Sequence, residues 1–256
     1  MIGCDKDKHS IPEYTPGRLL GVYNQTSIHP QYYEYEYMLD RIKIKRQKYN
    51  KNRVYDYKLR ENNIEKIYFN REESTYNLSL DSVIYLYNND TIIEYSHYRN
   101  EIIDSSTYVT NSGNVELIIS NNPYSEDIID SCIILWDNNN LIKYEVFQIA
   151  NSQIIDTYSC SFQYTDIKNP FFRTNIPKVL KTGPYVLYTP DIAYFVPGCS
   201  RLFPSEIIWS NIGSHLLVYT IDINSYVNGK IYDIRVNIEI DNFSVYYDYR
   251  FEYEEF

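Results

Sequence analysis

The sequence predicts an all-β protein, a long antiparallel meander of hairpin repeats that forms a curved sheet or an open, barrel-like structure with a proline-rich loop insertion. Three observations predict it. The stretch DSVIYLYNNDTIIEY, from Asp81 to Tyr95, returns as DSCIILWDNNNLIKY from Asp130 to Tyr144, with seven of fifteen positions identical. Weaker copies begin at Asp104 and Asp156, so the four aspartates stand 23, 26 and 26 residues apart, a period that holds two strands and two turns. Elsewhere apolar residues alternate with polar ones, as in Ile234, Val236, Ile238 and Ile240 against Asp233, Arg235, Asn237 and Glu239. That period of two belongs to a strand with one face buried.

Residues 1–30 read as an N-terminal tether, since the span from Asp5 onward carries Pro12, Pro16 and Pro30 with little alternation. Residues 31–256 read as a single antiparallel domain. Its first strand is Tyr33, Tyr35 and Tyr37 alternating with Glu34 and Glu36, and Ile42 and Ile44 against Arg41, Lys43 and Lys45 continue it. Val54 to Leu59 then turns through Asn62-Asn63 into Ile64 to Phe69, and YKLRENNIEKI can be laid on YLYNNDTIIEY, so the hairpin series starts here.

Residues 81–165 are the repeats proper. Their turns are Asn88-Asn89-Asp90 and Asp137-Asn138-Asn139-Asn140, because Asn and Asp tolerate positive φ and bond to their own backbone. Even offsets from each aspartate select the core face: Val83, Tyr85, Tyr87; Ser106, Tyr108, Thr110; Cys132, Ile134, Trp136; and Tyr158, Cys160, Phe162, Tyr164. The opposite face, with Ile84, Leu86, Val109, Ile133, Leu135, Ser159 and Ser161, varies from unit to unit, covered in some and wet in others. Cys132 and Cys160 fall on successive hairpins with a strand between them. Two strand spacings are about 9 to 10 Å, whereas a disulfide needs Cα atoms within about 7 Å, so they are expected to stay unbonded.

Residues 166–215 form the proline-rich loop region. Pro170, Pro177, Pro184, Pro190, Pro197 and Pro204 recur every six or seven residues, which removes ladder donors too often for central strands. Residues 216–256 are the closing strands: Leu217, Tyr219, Ile221 and Ile223, the Asn228-Gly229 turn, the strand around Val236, the Asp241-Asn242 turn, and Phe243 to Tyr253. Helix content should stay below about one fifth.

Composition narrows the function. The chain has 30 tyrosines and only 8 glycines, which weighs against a glycine-rich nucleotide loop, and its net charge is -10. Arg41 to Arg71 holds eleven of the 24 cationic residues and three acids, yet the charges alternate as on one solvated strand face, so nucleic acid is not expected as a partner. No apolar run is long enough for a membrane-spanning helix. His9, His29, His97 and His215 are isolated, so no metal site or cofactor is expected, and no serine-hydrolase, P-loop or dinucleotide motif occurs. Glu72-Glu73 and Glu126-Asp127 have the residue types of glycoside hydrolysis, but both fall in expected turns, where solvated charge is the plainer explanation. The chain is expected not to be an enzyme.

Met1-Ile2-Gly3-Cys4 resembles the end of a bacterial lipoprotein signal, with Cys4 as the lipid-attachment residue, and Asp5-Lys6-Asp7-Lys8 is similar to the tract that follows it in surface lipoproteins of Bacteroidota. The junction Phe162-Gln-Tyr164-Thr-Asp166-Ile-Lys168-Asn169-Pro170-Phe171, with the Tyr-rich end at Tyr247 to Tyr253, resembles a family of Bacteroidota lipoproteins of unknown function, similar in appearance to the YD-repeat type. That resemblance implies a long antiparallel sheet, lipid attachment at the outer membrane with exposure at the cell surface, and no established enzymatic activity. Two functions follow: an accessory or scaffold subunit docking on an outer-membrane protein complex through its loop region or a sheet edge, or a carbohydrate-binding module. For either, Tyr98, Tyr144, Trp209 and Tyr246 are the candidate contacts, since aromatic rings supply contact area at low entropic cost.

Overall fold

The computed structural model describes residues 18–26, 32–38, 41–48, 51–60, 63–71, 82–99, 101–111, 114–122, 125–171, 200–212, 215–241 and 243–254. They form sixteen strands: β1 (Leu19–Asn24), β2 (Tyr32–Tyr37), β3 (Arg41–Lys48), β4 (Lys51–Arg60), β5 (Asn63–Arg71), β6 (Ser82–Asn88), β7 (Thr91–Tyr98), β8 (Glu101–Asn111), β9 (Asn114–Asn122), β10 (Ser125–Asp137), β11 (Asn140–Ala150), β12 (Gln153–Lys168), β13 (Leu202–Ile212), β14 (His215–Val227), β15 (Lys230–Ile240) and β16 (Phe243–Tyr253). Each pairs antiparallel with its neighbour in sequence, and β1 pairs with β16, so the meander closes into a barrel. No helix occurs among the described residues.

The turns follow from residue chemistry. Asn138-Asn139, Asn151-Ser152 and Asn228-Gly229 have positive φ at both residues, the geometry whose twist matches two flanking strands. Bulges at Leu135/Trp136, Gln148/Ile149, Ser96/His97 and Val109/Thr110 bend the strands into the curvature that closure needs.

The register carries the expected core face around the ring. Tyr85 pairs with Glu94, Glu94 with Ser106, Ser106 with Ser120, Ser120 with Asp130, and Asp130 with Gln148, so all point to the lumen. Cys132, Ile134, Tyr158 and Cys160 are buried there as the even offsets required, while Tyr87, at the rim, is 41% exposed. One apolar cluster extends from Ile92 through β8 to β16 and on to Tyr33 and Tyr35. Trp209, Tyr144, Tyr219, Tyr249, Phe203 and Phe251 are fully buried, so this part of the lumen holds packed side chains rather than water.

Two expectations need correction. Leu19–Asn24, inside the stretch read as tether, is β1, the strand that closes the barrel through both β16 and β2. The loop region is shorter at both ends, because β12 runs to Lys168 and β13 starts at Leu202. Pro204 is tolerated in β13 because it sits at a register shift opposite Tyr164. In the closed ring each of the sixteen described strands is paired on both sides.

Candidate functional site

The connection between β12 and β13 is clamped where it leaves and re-enters the barrel. Asn169 donates from Nδ2 to the Ser200 carbonyl (2.9 Å), its Oδ1 accepts the Phe171 amide (2.9 Å), and its own amide reaches the Arg201 carbonyl (2.8 Å). Tyr164 Oη donates to the Leu141 carbonyl, and the Leu141 amide donates to Ser200 Oγ. Those two bonds leave the Ser200 hydroxyl as the donor in its 2.7 Å contact with Tyr164, which closes a three-membered cycle. Asn140 Oδ1 takes the Leu202 amide from the other side. Phe171 is thereby turned inward, its ring 5.7 Å from that of Phe251. The Asn-Pro-Phe of the sequence junction is thus a device that ties both ends of residues 172–199 to the barrel.

Among the described residues the lumen holds aromatic rings and polar groups bonded to one another. Trp209 sits between Tyr144, edge-on at 5.5 Å, and Tyr158, stacked at 6.3 Å. Tyr108 donates to Glu94 (2.6 Å) and Gln148 to Asp130 (3.3 Å), so these acids serve as internal acceptors. Burial pushes the phenols of Tyr85, Tyr108 and Tyr144 up, with Glu94 adding to the effect on the first two. Burial likewise raises the thiols of Cys132 and Cys160, which are both free and lack the thiolate character that nucleophiles need. No group of three or more His, Cys, Asp or Glu among the described residues can hold a metal ion.

The outer wall is divided. From β14 through β16 and β1 to β5 it is charged and ion-paired: Arg235 with Asp248 (2.7 Å), Arg250 with Asp233 (3.2 Å), Lys45 with Glu34 (3.6 Å), Arg41 with Asp56 (3.4 Å) and Lys58 with Glu65 (2.8 Å). From β6 to β12 exposed apolar side chains predominate, set among the small polar residues Ser105, Thr107, Ser131, Thr157, Ser159 and Ser161. Leu86, Val109, Ile119, Ile133 and Leu135 lie along the wall, between 37% and 51% exposed. The Ile-Asp pairs of the repeats set Ile103, Ile129 and Ile155 outward at matching height near the β8, β10 and β12 starts, all 44% or more exposed. The Lys143–Glu145 pair interrupts this flank.

Of the expected contact residues, Tyr144 and Trp209 are each 2% exposed and lie together inside the barrel, where an external ligand cannot reach them. Tyr246 is 50% exposed on the charged wall, its ring 4.5 Å under the Arg235 guanidinium. Tyr98 belongs to the end of β7, with its side chain outside the described residues, as is the whole of Cys4. The apolar flank was present in the sequence only as the variable second face. A shallow groove of about 350 Å³ over β14 to β16, lined by Ser225, Val227, Tyr232, Asp233, Arg250 and Phe251, lies where the register shifts around Ser225 fall, and neither was signalled by the sequence.

No family model and no curated protein matches the chain. Among solved structures it is similar to a porin-like protein from Bacteroides vulgatus, with a TM-score of 0.45 and 11% identity over 94% of this chain and 100% of that one. A porin-like protein from Bacteroides uniformis gives 0.39 and 10% over 94% and 98%.

Proposed function

We propose that this chain is a non-catalytic surface lipoprotein, held at the outer membrane through Cys4, that serves as an accessory subunit and docks its apolar β6 to β12 flank on a membrane-protein complex. The divided outer wall is the observation that carries the reading. A barrel immersed in lipid is apolar outside all the way round and polar within. Here Arg41, Lys43, Lys45, Lys58, Lys66, Arg235 and Arg250 all face outward by register. At about 2 to 4 kcal/mol for a cation facing the bilayer centre, burying that side in lipid would cost on the order of ten kcal/mol or more. The apolar flank has the opposite problem. Seven strands at about 4.8 Å spacing and about 20 Å of strand length present about 600 Å² of wall, and the apolar part of it reaches the few hundred Å² at which exposed patches on monomers are commonly interaction sites. An anchored barrel that stands in water and covers one flank with a partner satisfies both sides. Outer-membrane attachment rests on Gly3-Cys4 and the Asp5 to Lys8 tract.

The test is native co-purification of the protein expressed from its own gene in its own host, alongside a variant combining Ile133→Lys and Leu135→Lys. A stoichiometric membrane-protein partner that the variant loses, while its melting temperature holds, supports the proposal. No such partner, or one the variant keeps, rejects it. Labelled fatty acid should enter the parent and not Cys4→Ser.

A further inference from the structure

We propose that the groove over β14 to β16 binds a segment of a neutral carbohydrate chain. The site lies on the charged wall, apart from the docking flank, so it stands or falls separately from the role assigned to that flank. Ser225 pairs with Asp233, and Asp233 with Arg250, which sets the polar groups side by side across three strands. Register shifts on both sides of Ser225 interrupt the ladder between β14 and β15 where the groove lies, next to the Asn228-Gly229 turn. Val227, half exposed, and Tyr232 supply apolar wall, and the Tyr232 ring is held edge-on against Tyr253 at 5.5 Å.

The charge balance selects the ligand. Asp233 and Arg250 compensate each other, so the groove has no excess charge of its own to offer an anion or a cation. That contact uses only Arg250 Nε and Asp233 Oδ1. The terminal guanidinium nitrogens and Asp233 Oδ2 remain as donors and acceptor at one place, the combination that neighbouring hydroxyl groups require, each able to give one hydrogen bond and accept others. The adjoining Arg235–Asp248 pair is closed by two bonds, 2.7 and 3.0 Å, and forms a fixed boundary. A neutral ligand with vicinal hydroxyls and an apolar C–H face to lay on Tyr232 and Val227 is a sugar ring. The volume of about 350 Å³ is near the lower end for a small-molecule site, and its openness to the surface suits an internal stretch of a chain rather than an enclosed free sugar.

Native electrophoresis through gels containing a mixed-linkage glucan, a mannan, a xylan or polygalacturonate tests this. The parent protein should be retarded in at least one of the three neutral gels and unaffected by polygalacturonate. Arg250→Gln and Tyr232→Ala should each weaken the retardation about tenfold or more, whereas Tyr246→Ala, on the neighbouring stretch of wall, should bind like the parent. Thermal melts establish that each variant is folded. If Tyr232→Ala does not fold, the half-exposed Arg250→Gln decides. Retardation in no neutral gel, retardation in polygalacturonate only, unchanged binding by a folded Arg250→Gln, or loss on Tyr246→Ala would each overturn the assignment.

Discussion

Replacing Asn169 with alanine should destabilise the barrel by about 3 kcal/mol, although the residue lies at the margin of the fold. The side chain is 6% exposed and makes two bonds of 2.9 Å, one to the Ser200 carbonyl and one from the Phe171 amide. Ser200 is fully buried and Phe171 is 6% exposed, so water has little access to the two groups left behind. A buried donor or acceptor stripped of its partner costs about 1 to 3 kcal/mol, so two of them give about 2 to 6, and partial relaxation brings the expected value to about 3. At about 2 to 4 °C per kcal/mol for a chain of this size, the melting temperature should drop by roughly 6 to 12 °C. Urea unfolding followed by circular dichroism measures it, with an unchanged slope indicating that the same surface is exposed on unfolding. Asp166→Ala is the control, since Asp166 lies in the same junction and is exposed, and it should stay within about 0.5 kcal/mol. A loss below about 1 kcal/mol for Asn169→Ala, or an equal loss for both, would refute the clamp.

Two further outcomes follow from the lumen. Tyr85, Tyr108 and Tyr144 and both buried thiols have folded pKa values raised by burial, so each binds its proton more tightly folded than unfolded. Their contribution to stability is complete below the unfolded values, about 8.5 for Cys and about 10 for Tyr, and is lost as pH climbs toward the folded ones. Urea midpoints should therefore be level through neutral pH and fall from about pH 9 upward; a midpoint that is level to pH 11 contradicts this. Cys132 and Cys160 should alkylate only after unfolding and never appear as a linked peptide in unreduced digests, whereas a linked peptide would mean that the strand register is wrong.

Much of the fold was legible because a strand repeats at short range. Counting even offsets from Asp104, Asp130 and Asp156 finds the lumen face, and Asn138-Asn139 and Asn228-Gly229 declare their turns through the φ values that Asn and Gly accept. Closure was not legible. Leu19–Asn24 has six residues and flanking prolines, and what makes it a strand is pairing with Tyr249 to Tyr253 at the far end of the chain. The same limit hid the site. Tyr144 and Trp209 read as available aromatics until the register of β11, β12 and β13 put them on one lumen face. The apolar flank needed seven strands set side by side before scattered isoleucines became a surface. Asn169 was visible as part of a motif, but its partner Ser200 stands 31 residues away across the proline-rich connection.

The most direct test of an anchored barrel standing in water is the environment of its charged wall. Arg235 lies mid-strand in β15 and faces outward. A nitroxide attached at Arg235→Cys, in a Cys199→Ser background with Cys4 lipidated and the protein reconstituted on vesicles, reports collisions with a water-soluble nickel chelate and with oxygen dissolved in lipid. If the barrel stands in water, chelate accessibility at this position is high and oxygen accessibility low. Exclusion of the chelate with high oxygen accessibility would place that wall in the bilayer and contradict an anchored barrel standing in water.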